Sequence, residues 1–93
     1  MAETTVRVRI SGKVQAVGYR LWATRTAAQL GLRGWVRNRS DGTVEALVTG
    51  TAGDVAAMVE ACWQGPLGAR VAALTVTEDL DDGSLGFNTV ATK

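Results

Sequence analysis

The sequence predicts an α+β fold in which one antiparallel sheet carries two helices on a single face. Three observations predict it. Residues alternate with period two in the stretches 6–10, 32–38 and 44–48, the signature of half-buried strands. Two stretches, 20–30 and 55–62, place small or apolar residues at helical spacing. Closed by a β-branched run at 71–77, the order reads βαββαβ. Its natural solution is a sheet on one side and helices on the other.

Each element has its own warrant. Val6, Val8 and Ile10 alternate with Arg7, Arg9 and Ser11, which gives the first strand one buried face. Ala23, Ala27 and Leu30 recur at helical spacing, and Gly31 is placed to end that helix. In the second strand Leu32, Gly34, Val36 and Asn38 share the inward face, and Arg33, Trp35, Arg37 and Arg39 the outward one. The turn that follows has two possible registers. A two-residue Asp41-Gly42 loop would set inward Asn38 against outward Glu45. A three-residue loop over 40–42 pairs Asn38 with Val44 and Arg37 with Glu45. Faces then match, and Gly42 supplies the left-handed position, so the second register is predicted. Val44, Ala46 and Val48 form the next inward face. Val55, Met58, Val59 and Cys62 make the stripe of the second helix, opened by the pair Thr51 and Asp54 and stopped by Gly65-Pro66. A turn region at 79–84 and a weaker strand at 85–90 complete the chain. The expected architecture is a ferredoxin-like sandwich with a short fifth strand counted at the end, a superfold that by itself implies no activity.

The chain's 93 residues bound a single domain, 1–93. The net charge is +1, but it is unevenly spread. Residues 1–50 hold eight bases and three acids, and residues 51–93 two bases and six acids. The basic half would favour a small anion. The lone cysteine permits no internal disulfide and suits a reducing compartment. The first residues lack a basic start and an apolar stretch, so no signal peptide is expected. No apolar run approaches the ~20 residues of a membrane span. A cytoplasmic protein that engages no membrane is therefore expected.

Much chemistry is excluded by composition. With no histidine, Ser-His-Asp and Cys-His nucleophiles, histidine metal sites and phosphohistidine chemistry are impossible. Cys62 lies on an apolar stripe, where a structural role is expected. Asp79, Asp81 and Asp82 lack the glycine-spaced pattern of a cation loop, so they read as a solvated turn and no metal is expected.

What remains is residues 12–20, Gly-Lys-Val-Gln-Ala-Val-Gly-Tyr-Arg, between a strand and a helix. Backbone N–H groups at a helix start point at a ligand, and the helix dipole favours negative charge there. Arg20 adds a planar fork that grips two oxygens. The stretch is no nucleotide P-loop, because Gly-Lys-Ser/Thr is missing after its second glycine. Read by itself, Arg20 is either an anion clamp or a surface base in a first turn. Asn38 is either a polar group at the site or a cap on the turn at 40–42. A carboxamide can hold a water at a chosen angle. Phosphoryl transfer asks mainly for positioning and charge stabilisation. Without metal or nucleophile, such a site suits a good leaving group, as in a carboxylic-phosphoric anhydride.

These residues resemble the acylphosphatase family. The resemblance rests on Gly12–Arg20, on Ala27 and Leu30-Gly-Leu-Arg-Gly-Trp-Val-Arg-Asn38, on Asp41-Gly-Thr-Val-Glu45 and, more weakly, on Gly65-Pro-Leu-Gly-Ala-Arg-Val71. It implies hydrolysis of acyl phosphates to a carboxylate and inorganic phosphate, with no metal and no cofactor. The family's phosphate-binding arginine falls on Arg20 and its water-orienting asparagine on Asn38. Its phosphate loop falls on Gly12, Lys13, Val14, Gln15, Ala16, Val17 and Gly18. In the family the substrate's own phosphate takes the proton of the water. The partner implied is a small-molecule acyl phosphate, and a monomer is expected. One departure stands out: the family usually has glycine where this chain has Ala16. Alanine is harmless at negative φ; at positive φ it weakens phosphate binding or shifts the loop. The same element order also occurs in single-strand RNA readers, with Arg7, Arg9, Arg37, Arg39 and Trp35 on the open sheet face. That face lacks the aromatic rows used for base stacking, so no nucleic-acid partner is expected.

Overall fold

The computed structural model describes residues 2–93; Met1, the first position of the predicted domain, lies outside them. Strands β1 (Glu3–Lys13), β2 (Arg33–Asn38), β3 (Val44–Thr51), β4 (Arg70–Glu78) and β5 (Phe87–Thr89) form one sheet in the order β4-β1-β3-β2-β5. Helices α1 (Tyr19–Gln29) and α2 (Ala52–Gln64) pack on one face of it. Val6, Val8 and Ile10 meet Val36, Val44 and Val48 on that face, beneath Ala23 and Ala27 of α1 and Val55, Met58 and Cys62 of α2. The alanines of α1 leave room for the backbone to approach the sheet. Thr51 caps α2 by accepting from the Asp54 amide at 3.3 Å.

The β2–β3 hairpin adopts the face-matched register, with Asn38 opposite Val44 and Arg37 opposite Glu45. Gly42 takes its predicted left-handed conformation. The four longer strands pair antiparallel, as expected. The fifth does not: β5 pairs parallel with β2, Gly34 opposite Phe87 through Val36 opposite Thr89. The cause is topological. β4 lies at the opposite edge, so the chain crosses the open face of the sheet through residues 79–86 before it reaches β2. Residues 90–93 continue beside β2, where the Lys93 amide donates to the Asn38 carbonyl at 3.1 Å. β4 has no strand on its outer side, and its only charged residues, Arg70 and Glu78, stand at its two ends.

The crossing segment is tied down by its acids. Arg7 pairs with Asp79 at 2.6 Å, Arg33 with Asp81 at 2.5 Å, and the Trp35 indole donates to Asp82 at 3.0 Å. Beneath it Glu45 is 2% exposed. Its carboxylate receives Arg37 at 2.6 Å and Arg7 at 3.0 Å, with Arg9 and Arg39 at 3.4 Å. Trp35 lies under the guanidinium groups of Arg7 and Arg37, 5.6 and 4.5 Å from its ring centre. This is long side chains covering an aromatic ring, not an open stacking platform.

Candidate active site

The chain leaves β1 through a bulge between Ser11 and Gly12. Gly12 has φ +120°, and a Cβ there would stand 2.2 Å from the Arg70 carbonyl oxygen, so no other residue fits without moving β4. Gly12 and Lys13 still belong to β1, opposite Val71 and Arg70. The loop proper is therefore 14–18. Val14 is buried and Val17 packs against the core. The Gln15 amide donates to the carbonyls of Arg39 and Thr43 at 2.8 and 2.9 Å, which ties the loop to the β2–β3 turn. Ala16 has φ 60° and Gly18 φ 78°, while Gln15 and Val17 keep negative values. Left-handed residues at alternate positions are a feature that backbone anion nests share.

Gly18 is the N-cap of α1. No side chain caps that start and no acid occupies its first turn, in contrast to α2 with Thr51 and Asp54. The first N–H groups of α1 are thus left for something else. Arg20 enters from this first turn. Among the described residues it has no carboxylate partner, whereas Arg7, Arg9, Arg33, Arg37 and Arg39 are all paired. Five of the eight bases in the sequence's basic half are thus answered by carboxylates across the fold, and Lys13, Arg20 and Arg25 are left without such a partner among the described residues.

Asn38 comes from the last residue of β2, on the inward face. It does not cap the turn; Asp41 does, accepting from the Thr43 amide at 3.0 Å and the Thr43 hydroxyl at 2.6 Å. Val14, Ala16, Gly18, Arg20, Asn38 and Thr89 line one pocket of about 310 Å³. Gly12, Lys13, Gln15 and Val17 stand outside that lining and shape it from behind. Sequence reasoning missed Thr89, whose hydroxyl lies 3.3 Å from that of Thr24, itself a donor to the Arg20 carbonyl at 2.9 Å. No signal marked it, since its place depends on the parallel docking of β5. Cys62 is buried under α2 and burial pushes its thiol up to about 11, which suits packing rather than attack.

A small α+β protein that brings an uncapped helix start and an arginine without a carboxylate partner into one pocket belongs to the class whose site is suited to a small oxyanion. Comparison with known proteins narrows this. The profile of the family described as Acylphosphatase matches residues 6–89. An acylphosphatase of Rhodospirillum rubrum is 56% identical over 84 residues, 90% of this chain and 92% of that protein. The structure of an acylphosphatase from Coxiella burnetii superposes with TM-score 0.91 at 34% identity, covering 95% of this chain and 93% of that one. The acylphosphatase of Bacillus subtilis gives TM-score 0.89 at 36% identity, covering 92% and 97%. The chain belongs to the acylphosphatase family, and its activity is that of an acyl phosphate hydrolase. Among the described residues no helix is long and apolar enough to cross a membrane.

Proposed function

We propose that this chain hydrolyses acyl phosphates with Arg20 and the amides of the 14–18 loop holding the phosphate and Asn38 directing the water. The reading rests on one observation: Arg20 and Asn38, 18 positions apart in sequence, line the same pocket. The loop and Arg20 offset the charge of the phosphoryl oxygens, and that charge stabilisation is the main demand of the reaction. The Asn38 carboxamide accepts from the water and fixes its approach to phosphorus. The phosphorus–oxygen bond to the acyl group breaks and a carboxylate leaves. The water's proton passes to a phosphate oxygen of the substrate, so no protein base is invoked. The named residues all come from a single copy, so the reading needs no second chain. It invokes no metal, cofactor, membrane or nucleic acid. We assign the reaction to the cytoplasm on the argument that a lone, unpaired cysteine suits a reducing compartment.

The test is phosphate release from benzoyl phosphate in the presence of EDTA. Arg20→Ala and Asn38→Ala are each expected to lower kcat/KM by roughly a hundredfold or more, with unchanged thermal unfolding. Unaltered turnover in either variant rejects the role given to that residue.

A further inference from the structure

A second groove, of about 430 Å³, lies beside the pocket of Arg20 and Asn38. The two share Gly18 and Leu21. A substrate with its phosphate in the first therefore has direct passage into the second. The groove runs along a flank of α1 to Pro66, with Trp22 and Pro66 as its apolar surface. Its polar side chains are Arg25, a donor only, and Thr26 and Gln29, which can each donate as well as accept. No acidic residue lines either depression.

Arg25 carries the argument further. Of the eight arginines in the sequence, five are paired with carboxylates among the described residues; Arg20, Arg25 and Arg70 are not. Two of these three are on α1, one in each depression. Arg25 follows the shared residue Leu21 by one helical turn, about 6 Å. A cation thus stands one turn beyond the residue that the two depressions share. A short dicarboxylic acid sets its second carboxylate at such a remove from its acyl carbon.

We propose that this groove receives the acyl end of the substrate, and that the preferred substrates are acyl phosphates of short dicarboxylic acids whose second carboxylate pairs with Arg25. The inference rests on the phosphate site proposed above. Because Arg25 is exposed, its contribution is modest, a factor of about three to ten.

The experiment compares kcat/KM for succinyl phosphate and butyryl phosphate, which differ in the terminal carboxylate and not in chain length. The wild type is expected to favour succinyl phosphate about fivefold, mostly through KM. Arg25→Gln brings the ratio close to one, and Arg25→Glu inverts it. An unchanged ratio in both variants, or a wild type without the preference, overturns the inference and leaves the phosphate site standing. Turnover of neither substrate sinks the phosphate site and this inference with it.

Discussion

Ala16 is the one residue other than glycine with a positive φ among those described. An L-residue pays roughly 1–2 kcal/mol for the left-handed conformation, so the 14–18 loop holds strain at the position where the family resemblance leads one to expect glycine. The sequence made the departure visible but not its cost, because φ at one residue is set by the loop around it. Ala16→Gly should release the strain while loosening the unfolded chain, which offsets part of the gain. The expected net result is a stability between unchanged and about 1 kcal/mol higher by urea unfolding, with kcat/KM for benzoyl phosphate kept or raised. A large loss of activity would mean that the loop has adapted to the methyl group. Asn38 was legible for a different reason: it broke the apolar pattern of an otherwise inward strand face, and no turn contact claims its side chain. Thr89 broke no pattern and stayed hidden.

The elements that alternation could define were read well, and those that depend on a remote partner were not. Face matching is enough to decide the register of the β2–β3 hairpin. It could not show that Glu45, on the outward face, is sealed under Arg7, Arg9, Arg37 and Arg39. One acid opposite four alternating arginines was the available signal. Burial alone would push the Glu45 carboxyl up, but hydrogen bonds from Arg37 and Arg7 prevail and hold it down at about 2, below an ordinary 4.5. A depressed carboxyl stabilises the fold above the unfolded value and loses that contribution as pH falls toward the folded one. Glu45→Gln is therefore expected to cost about 3 kcal/mol at neutral pH. The gap between wild type and variant should close between pH 4.5 and 2 in urea unfolding. A gap that is flat across that range would show that the arginine cluster does not set the stability of this face.

Across the whole molecule, the run from β4 to β5 joins the two margins of the sheet and delivers β5, whose Thr89 lines the pocket. Local spacing makes its acids a solvated turn; in the fold Asp79 and Asp81 answer Arg7 and Arg33 from the other half of the chain. That pairing is long-range, which is why a linear charge count overstated the field around the loop. Phe87 anchors the segment, 8% exposed in the core cluster. Phe87→Ala is expected to cost about 3 kcal/mol and to lower kcat/KM several-fold, since Thr89 lies two residues on; thermal unfolding and the phosphate assay check both. Full activity in a destabilised variant would show that the pocket does not depend on this wall. The two margins differ in a way that matters under crowding. One is the three-residue β5, continued beside β2 by residues 90–93. The other is β4, nine residues long, with charge at its extremities alone and no lysine or proline between them to discourage a newcomer. That rim therefore presents an open row of backbone N–H and C=O groups, with little along it to turn away an incoming strand.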